Sequence, residues 1–301
     1  MRATDGVWRL PGGATRLPGM TDAASRSPSP ATLHAWHAGL ARAMASVAEP
    51  SFCERLIEAL RSLVPIESVL LGLECKGLAP RPLYQFGIPA EYREALIERY
   101  YARGYLLDPF CLAMENGLAE GFYHLSEIAP DDFFSSEYYR TNYLKCGSVE
   151  DAHFIIDLGG QRKVSLCVYQ GRSGARFSQD ELELLHTAYP LVRELMRQFD
   201  ERGGLVRCLD GRGGAAPRGG ATTGLNRQIR EAFMNFGSDR LTEREREIAH
   251  LLLRGHSVKS SAKVLEISPE TVRMHRKNLY TKLEISSQAE LFALFIDWLT
   301  A

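Results

Sequence analysis

Two stretches near the C-terminus, Leu241-Thr-Glu-Arg-Glu-Arg-Glu-Ile-Ala-His-Leu-Leu-Leu-Arg-Gly255 and Ile267-Ser-Pro-Glu-Thr-Val-Arg-Met-His-Arg-Lys-Asn-Leu-Tyr-Thr-Lys-Leu283, decide how this chain is read. Thr242-Glu-Arg-Glu245 is a capping box: the Thr hydroxyl accepts from the Glu245 amide while the Glu side chain reaches back, so a helix starts there. Ile248, Leu251 and Leu252 supply its apolar face, and Gly255 is placed to end it in a left-handed conformation. Ser257 caps a second helix, roughly 258–265, with Val258, Ala262 and Leu265 inward. Ser268 caps a third, whose Pro269 sits in the first turn where a missing N–H costs nothing. Ser287-Gln-Ala-Glu290 caps a fourth. The prediction is an all-α four-helix domain over 236–301.

With Val272, Leu279 and Leu283 turned inward, the third helix points Arg273, Met274 and Lys277 outward. From Arg254 to Lys282, seven basic residues stand against two acids, a local +5 in a chain whose net charge is −1. The chain as a whole is not a basic coat, so affinity for a polyanion has to come from this patch. Cations release counterions from phosphates, and a long donor such as Arg273 reaches guanine acceptors. Short capped helices joined by a tight turn place one helix in the major groove of double-stranded DNA. The fourth helix carries Leu291, Phe292, Leu294, Phe295, Ile296, Trp298 and Leu299 almost all round. A small domain buries one face of such a helix, so the other face predicts a homodimer contact or packing on the N-terminal part of the chain.

The remainder is less explicit. A length of 301 residues with 45% hydrophobic content suits two domains. The six cysteines are scattered with no C-x-x-C pair, so reduced thiols are expected and no metal site or cofactor. No apolar run approaches the roughly 20 residues of a membrane span. Residues 1–30, broken by Gly12, Gly13, Pro18, Pro28 and Pro30, predict a disordered tail rather than a signal peptide, and a cytoplasmic protein; Met20 is an alternative start.

Over 31–200 the pattern predicts one α+β domain with helices packed on a mostly antiparallel sheet. Two helices span 31–63, broken at Pro50. Strands are predicted at Ile66–Leu73 and Leu83–Phe86, and a hairpin at Ala152–Leu158 and Lys163–Gln170 across Gly159-Gly160. Between them lie a helix from Ala90 to about Arg103 and an aromatic helix over about Phe134–Lys145. Ser178-Gln-Asp-Glu181 opens a long helix that Pro190 should kink. Glycines then crowd 201–224, which predicts a flexible linker, and a short helix is expected at about 226–236.

Eleven of the 28 aromatic residues fall between Tyr100 and Tyr143, and tyrosines dominate. Tyr100, Tyr101, Tyr105, Tyr123 and Tyr139, with Asp108, are candidate lining for a small amphipathic ligand of unknown identity. The same residues also suit a plain core and lid. His124, His153 and His186 with Cys111, Cys146 or Cys167 would be the material for a thiol-histidine enzyme, but nothing in the linear sequence places them together. No nucleophile elbow or phosphate loop is present, so catalysis is not expected.

Leu241-Thr242, Arg244-Glu245-Arg246-Glu247-Ile248, Gly255-x-Ser257-x-Lys259, Ala262, Leu265-x-Ile267-Ser268, Thr271-Val272, His275, Lys282-Leu283 and Glu290-Leu291 together form a long motif. On it, residues 241–295 resemble the DNA-binding domain of LuxR-type bacterial transcription regulators. The resemblance implies a sequence-specific regulator that binds double-stranded DNA, forms a homodimer and can contact RNA polymerase. It places Arg273, Met274 and Lys277 on groove-facing positions, with Glu270 and Thr271 at the start of the same helix, and Ser257 and Lys259 near the phosphate backbone. Two departures stand out: Ser260-Ser261 replaces the family's Glu-Ile, and Glu266 replaces its turn glycine. Both predict a DNA-binding domain somewhat less stable than its relatives.

In the N-terminal half, Asp108-Pro109, Ser136-Glu-Tyr-Tyr139 and Phe177-Ser178 resemble the GAF/PAS-like sensor halves of the same regulators. Acyl-homoserine-lactone receptors in the family carry a Trp and a Tyr upstream of this Asp, where the present chain has Ala95 and Arg99, so a lactone ligand is not expected. Asp108 is then a relic or a helix cap. A phosphoacceptor receiver is excluded, because the adjacent acid pair Asp131-Asp132 lies mid-domain beside aromatics. The alternative to a ligand sensor is a protein-interaction module.

Overall fold

The computed structural model describes residues 28–210 except Arg103, together with Glu231 and 235–300. The expected tail and the glycine-rich stretch from 211 to 224 lie outside the described residues, as does most of the short helix expected near 226–236. In chain order the α-helices are α1 (Pro30–Ala45), α2 (Phe52–Leu63), α3 (Ala90–Arg93), α4 (Pro109–Glu115), α5 (Leu125–Ile128), α6 (Gln179–Glu201), α7 (Gly204–Asp210), α8 (Glu243–Leu253), α9 (Val258–Val264), α10 (Pro269–Leu283) and α11 (Gln288–Thr300). The strands are β1 (Ser68–Cys75), β2 (Arg81–Phe86), β3 (Gly121–His124), β4 (Glu150–Gly159) and β5 (Arg162–Gln170).

The strands form one sheet in the order β2-β1-β5-β4-β3, with antiparallel neighbours throughout. Gly159 and Gly160 turn the β4–β5 hairpin at φ +76° and +60°, a conformation glycine adopts freely. Side chains alternate between the two faces of each strand. Val69, Leu71 and Leu73 of β1, Ala152, Phe154 and Ile156 of β4, and Val164, Leu166 and Val168 of β5 all point to one face. There they form the main core with α1, α2 and α6. The other residues of these strands point to the opposite face. That face carries Gly72, Glu74, Asp151, His153, Ser165, Cys167 and Tyr169, an unusually polar set.

Residues 90–146 cover this polar face. Here the sequence expectations need correction. The helix from Ala90 becomes a π-turn over Glu94–Arg99 before a last α-turn at Tyr100–Ala102. The aromatic helix expected over Phe134–Lys145 is broken in two, a 3₁₀ turn at Phe133–Ser135 and a π-turn at Tyr139–Tyr143. Ser136 interrupts it: its backbone is extended, and its Oγ accepts from the Tyr139 amide at 3.1 Å, restarting the helix. Strand β3 was not anticipated; it is only four residues long and sits at the sheet edge.

The Ser178 capping box forms as expected, and α6 runs on as helix through Pro190. Within the expected linker, residues 204–210 are helical. Gly203, at φ +72°, ends the α6 turn, and α7 follows with Leu205 buried in the main core. Glycine composition alone did not reveal that one buried leucine.

In the C-terminal part every predicted cap is present. Glu245 N–H donates to Thr242 Oγ1 at 3.3 Å and Thr242 N–H donates to Glu245 Oε2 at 2.9 Å. Ser257 Oγ accepts from Ser260 N–H and Ser268 Oγ from Thr271 N–H, each at 3.1 Å. Gly255 is left-handed at φ +85°. Ile248, Leu252, Ala262, Val272, Leu279, Leu291 and Phe295 form the centre, continuous with the aromatic layer of residues 105–143. No helix among the described residues is long and apolar enough to cross a membrane.

Candidate DNA interface and sensor cavity

The cap at Ser268 and the buried Val272 and Leu279 fix the rotation of α10 about its axis. Arg273, Met274 and Lys277 are consequently all exposed, with Met274 at 52%. Arg273 Nη1 rests on Glu270 Oε1 at 3.0 Å, an i,i+3 pair between two exposed side chains. Such a pair contributes little and is easily exchanged for another acceptor. Thr271 lies in the first turn, its Oγ1 3.0 Å from Ser268 Oγ. Lys259 is exposed on α9. Lys282 leaves the basic set: its Nζ is 2.7 Å from Glu245 Oε2, and Glu245 is buried. Burial alone would raise the Glu245 pKa, but Lys282 and the Thr242 cap outweigh it and hold it below the usual value.

Ser257 is engaged in a way the sequence did not suggest. Its N–H donates to Asp131 Oδ1 at 3.0 Å and its Oγ donates to Asp131 Oδ2 at 2.6 Å. Beside this contact, Asp132 N–H donates to the Gly255 carbonyl at 2.9 Å. A Cβ on Gly255 would lie 2.6 Å from Phe133 Cα, so only glycine permits the approach. The Asp131 carboxyl is held below its ordinary pKa, because its bonds to Ser257 outweigh desolvation. The 131–133 segment thus docks the aromatic layer onto the turn before α9.

In the N-terminal part, Asp108 caps α4, accepting from Phe110 N–H at 2.7 Å and Cys111 N–H at 3.2 Å. Its second oxygen accepts from Tyr100 Oη at 3.0 Å. Burial, and then the charge of Asp151, raise its pKa against the pull of His153. Tyr100 and Asp108 line a void of about 20 Å³ together with Leu96, Tyr138, Asn142, Tyr143 and Tyr169. Tyr101 lies over the sheet at Gly72. Tyr105, Tyr123 and Tyr139 do not line this void; Tyr123 donates to the Ala119 carbonyl and Tyr139 to the Val149 carbonyl. Tyr169 was missed, although its alternation with Cys167 and Ser165 along β5 carried the signal. A wider cleft of about 430 Å³ opens elsewhere, bordered by Arg61, Glu67, Arg172 and Arg176. Glu67 there already accepts from the Arg172 and Ser173 amides, and no reading of the sequence pointed to it.

Folding also brings together residues that the sequence left apart. His153 and Cys167 are cross-strand partners, with Asp151 two residues away on the same face. Burial pushes the Cys167 thiol well up, whereas the thiol of a nucleophile site has its pKa lowered.

The chain is similar to known bacterial regulators. Residues 239–295 match the family model of bacterial regulatory proteins, luxR family. An HTH-type transcriptional regulator from the exeN 3′ region of Aeromonas salmonicida is 36% identical over 194 residues, covering 64% of this chain and 94% of that protein. That match is far longer than the DNA-binding helices, so it takes in part of the sheet domain as well. The transcriptional regulatory protein UhpA of Escherichia coli is 46% identical over 59 residues, 20% of this chain and 30% of UhpA. Among solved structures, the VqsR LBD domain of Pseudomonas aeruginosa is 26% identical with a TM-score of 0.49, covering 56% of this chain and 98% of that one. This chain belongs to the luxR family of bacterial regulatory proteins. It is a transcription regulator with a C-terminal helix-turn-helix and an N-terminal domain built on a five-stranded antiparallel sheet.

Proposed function

We propose that the chain reads specific DNA sequences through a domain at 236–301, under the control of a sensor domain at 31–200. The observation that carries the proposal is the orientation of α10, with Val272 and Leu279 buried beneath Arg273, Met274 and Lys277. Arg273 and Lys277 reach base edges, Met274 packs in the groove, and Glu270 and Thr271 lie at the end of the helix that enters first. Lys259 and Ser257 hold the phosphate backbone. Selection of bound duplexes from a randomised pool by the full-length chain tests this; failure to enrich any sequence refutes it.

We further propose a homodimer formed through α11. Leu291, Phe295 and Leu299 are buried, while Leu294, Ile296 and Trp298 remain 38%, 37% and 38% exposed. Contact with RNA polymerase fits a regulator bound beside a promoter, and the working compartment is the cytoplasm.

For the sensor half, Tyr100, Asp108, Tyr138 and Tyr143 are the residues positioned to meet a small ligand. The void they line is about 20 Å³, whereas ligand pockets are usually about 300–1,000 Å³. A ligand would have to open the aromatic layer. That size is the specific observation favouring the second reading, a protein-interaction module with no small-molecule ligand. Native mass spectrometry of freshly purified protein separates the two: a retained small molecule supports sensing, and bare mass with a co-purifying protein supports the interaction module.

A further inference from the structure

We propose that Asp151, His153 and Cys167 form a binding site for a divalent transition metal of the zinc class. The three donors come from one face of the β4–β5 hairpin, where register sets His153 opposite Cys167 and alternation brings Asp151 to the same side. All three residues are buried, and their ligand atoms lie within 4.8 Å of one another. Asp151 Oδ2 is 3.2 Å from His153 Nε2 and 3.6 Å from Cys167 Sγ. Ligands of a tetrahedral zinc ion, at about 2.0–2.3 Å from the metal, are about 3.4–3.6 Å apart. The two separations from Asp151 therefore stand close to coordinating values, and all three ligand atoms lie within 4.8 Å of one another.

The surroundings also suit a metal. Ser165 Oγ is 2.7 Å from His153 Nδ1, which holds the ring with Nε2 facing the other two donors. This outer-shell bond is the kind that orients a ligating histidine. The Phe110 ring stacks on the imidazole with centroids 3.5 Å apart and closes the site from above. Asp151 Oδ1 is buried with no hydrogen-bond partner, so the carboxylate has an unused acceptor oxygen. Tyr143 Oη, 3.1 Å from Asp151 Oδ2, belongs to the wall of the adjoining void of about 20 Å³.

Charge favours the same conclusion. On binding, the Cys167 S–H proton is released to solvent, and a thiolate, a carboxylate and a dication sum to zero. A buried site tolerates that sum better than an uncompensated anion. One sulfur, one nitrogen and one oxygen donor make a borderline set that suits zinc or cobalt and disfavours calcium or magnesium. The sequence pointed to no metal, because the donors lack the linear spacing of a zinc motif. The site stands independently of whether the N-terminal domain senses a ligand.

The test uses the full-length chain, reduced, stripped with a chelator and titrated with Co²⁺ and then Zn²⁺. The expected result is one equivalent of Co²⁺ per chain with a thiolate-to-cobalt charge-transfer band, displaced by Zn²⁺. Cys167→Ser removes the band, and His153→Gln lowers the affinity. Ser165→Ala, the mildest change, weakens binding by about 10–100-fold through loss of the outer-shell bond; it decides the matter if the ligand variants fail to fold. Absence of stoichiometric binding, a cobalt spectrum without sulfur charge transfer, or unchanged affinity in Ser165→Ala overturns the proposal and leaves the three residues as a hydrogen-bonded core cluster.

Discussion

At the residue scale, a few side chains carry more than their share. Arg273 is exposed, aimed away from the core and held only by a surface pair with Glu270. If it bonds a guanine in two places, Arg273→Ala costs about 1–3 kcal/mol on the preferred duplex and relaxes one base pair, while Lys259→Ala weakens all duplexes alike. Binding isotherms on specific and random DNA check this, and equal losses for Arg273→Ala on both reject base reading. Glu266 is left-handed at φ +53°, where the family carries glycine. Ser261, which replaces the family's isoleucine, is 0% exposed and its Oγ has no hydrogen-bond partner. A strained non-glycine and a buried unsatisfied hydroxyl each cost about 1 kcal/mol or more. Glu266→Gly and Ser261→Ala are therefore each expected to raise the melting temperature of the DNA-binding helices, read by thermal denaturation of the full chain.

The protonation of Glu74 bears directly on stability. Enclosure on the polar face of the sheet, and then the nearby charge of Asp108, push its pKa from 4.5 to about 8. A carboxyl raised in the folded state retains its proton where the unfolded chain has lost it. Folding is therefore unpenalised below about 4.5, loses stability as pH rises towards 8, and is flat above. At about 1.4 kcal/mol per unit the ceiling is roughly 5 kcal/mol, reduced because the side chain keeps some contact with solvent. Glu74→Gln should abolish this slope, so its advantage in stability over the parent grows from pH 5 to pH 8. Parallel stability–pH curves for the two proteins would contradict the assignment.

At the element scale, elements with local signals were the legible ones. The four C-terminal helices follow from caps at Thr242, Ser257, Ser268 and Ser287, each a short-range hydrogen bond that needs no tertiary context. The Gly159-Gly160 hairpin and the Ser178 box were legible for the same reason. The aromatic layer was not. Phe133, Tyr138, Tyr139 and Tyr143 pack on one another in several directions, so their spacing shows no single helical stripe. Helix α11 presents a testable surface, with Trp298 stacked against Phe295 yet still half open. Trp298→Arg leaves the buried Leu291 and Phe295 in place and is expected to weaken self-association at least tenfold, about 1.4 kcal/mol. Sedimentation equilibrium checks it, and an unchanged dimer constant would move the interface elsewhere.

At the scale of the whole molecule, the important contact is between Asp131 and Ser257. The Asp131 carboxylate takes the amide and hydroxyl that we assign to a DNA phosphate. The two acceptors compete for the same donors, so the docked arrangement opposes DNA binding at this point. Phe133, next to that contact, packs edge-on against Tyr143 and lies near Tyr138, which line the sensor void. Opening the aromatic layer would move the docking segment with it. Asp131→Ala is expected to raise affinity for the same duplex by about fivefold or more, within the usual range of coupling between sites. Fluorescence anisotropy measures this, and equal affinity would show that the contact places no restraint on the DNA-binding helices.

By itself, the sequence determined the helix-turn-helix and its outward basic side chains, the antiparallel hairpin and the class of the protein. Those depend on caps, turns and periodicity, interactions that span a few residues. Only the tertiary structure decided that Asp131 meets Ser257, that the aromatic layer closes on a void for a water or two, and that Asp151, His153 and Cys167 share one point. Such contacts join residues far apart in the chain through strand register and layer packing, and no local pattern encodes which polar groups will meet once the core has chosen its face.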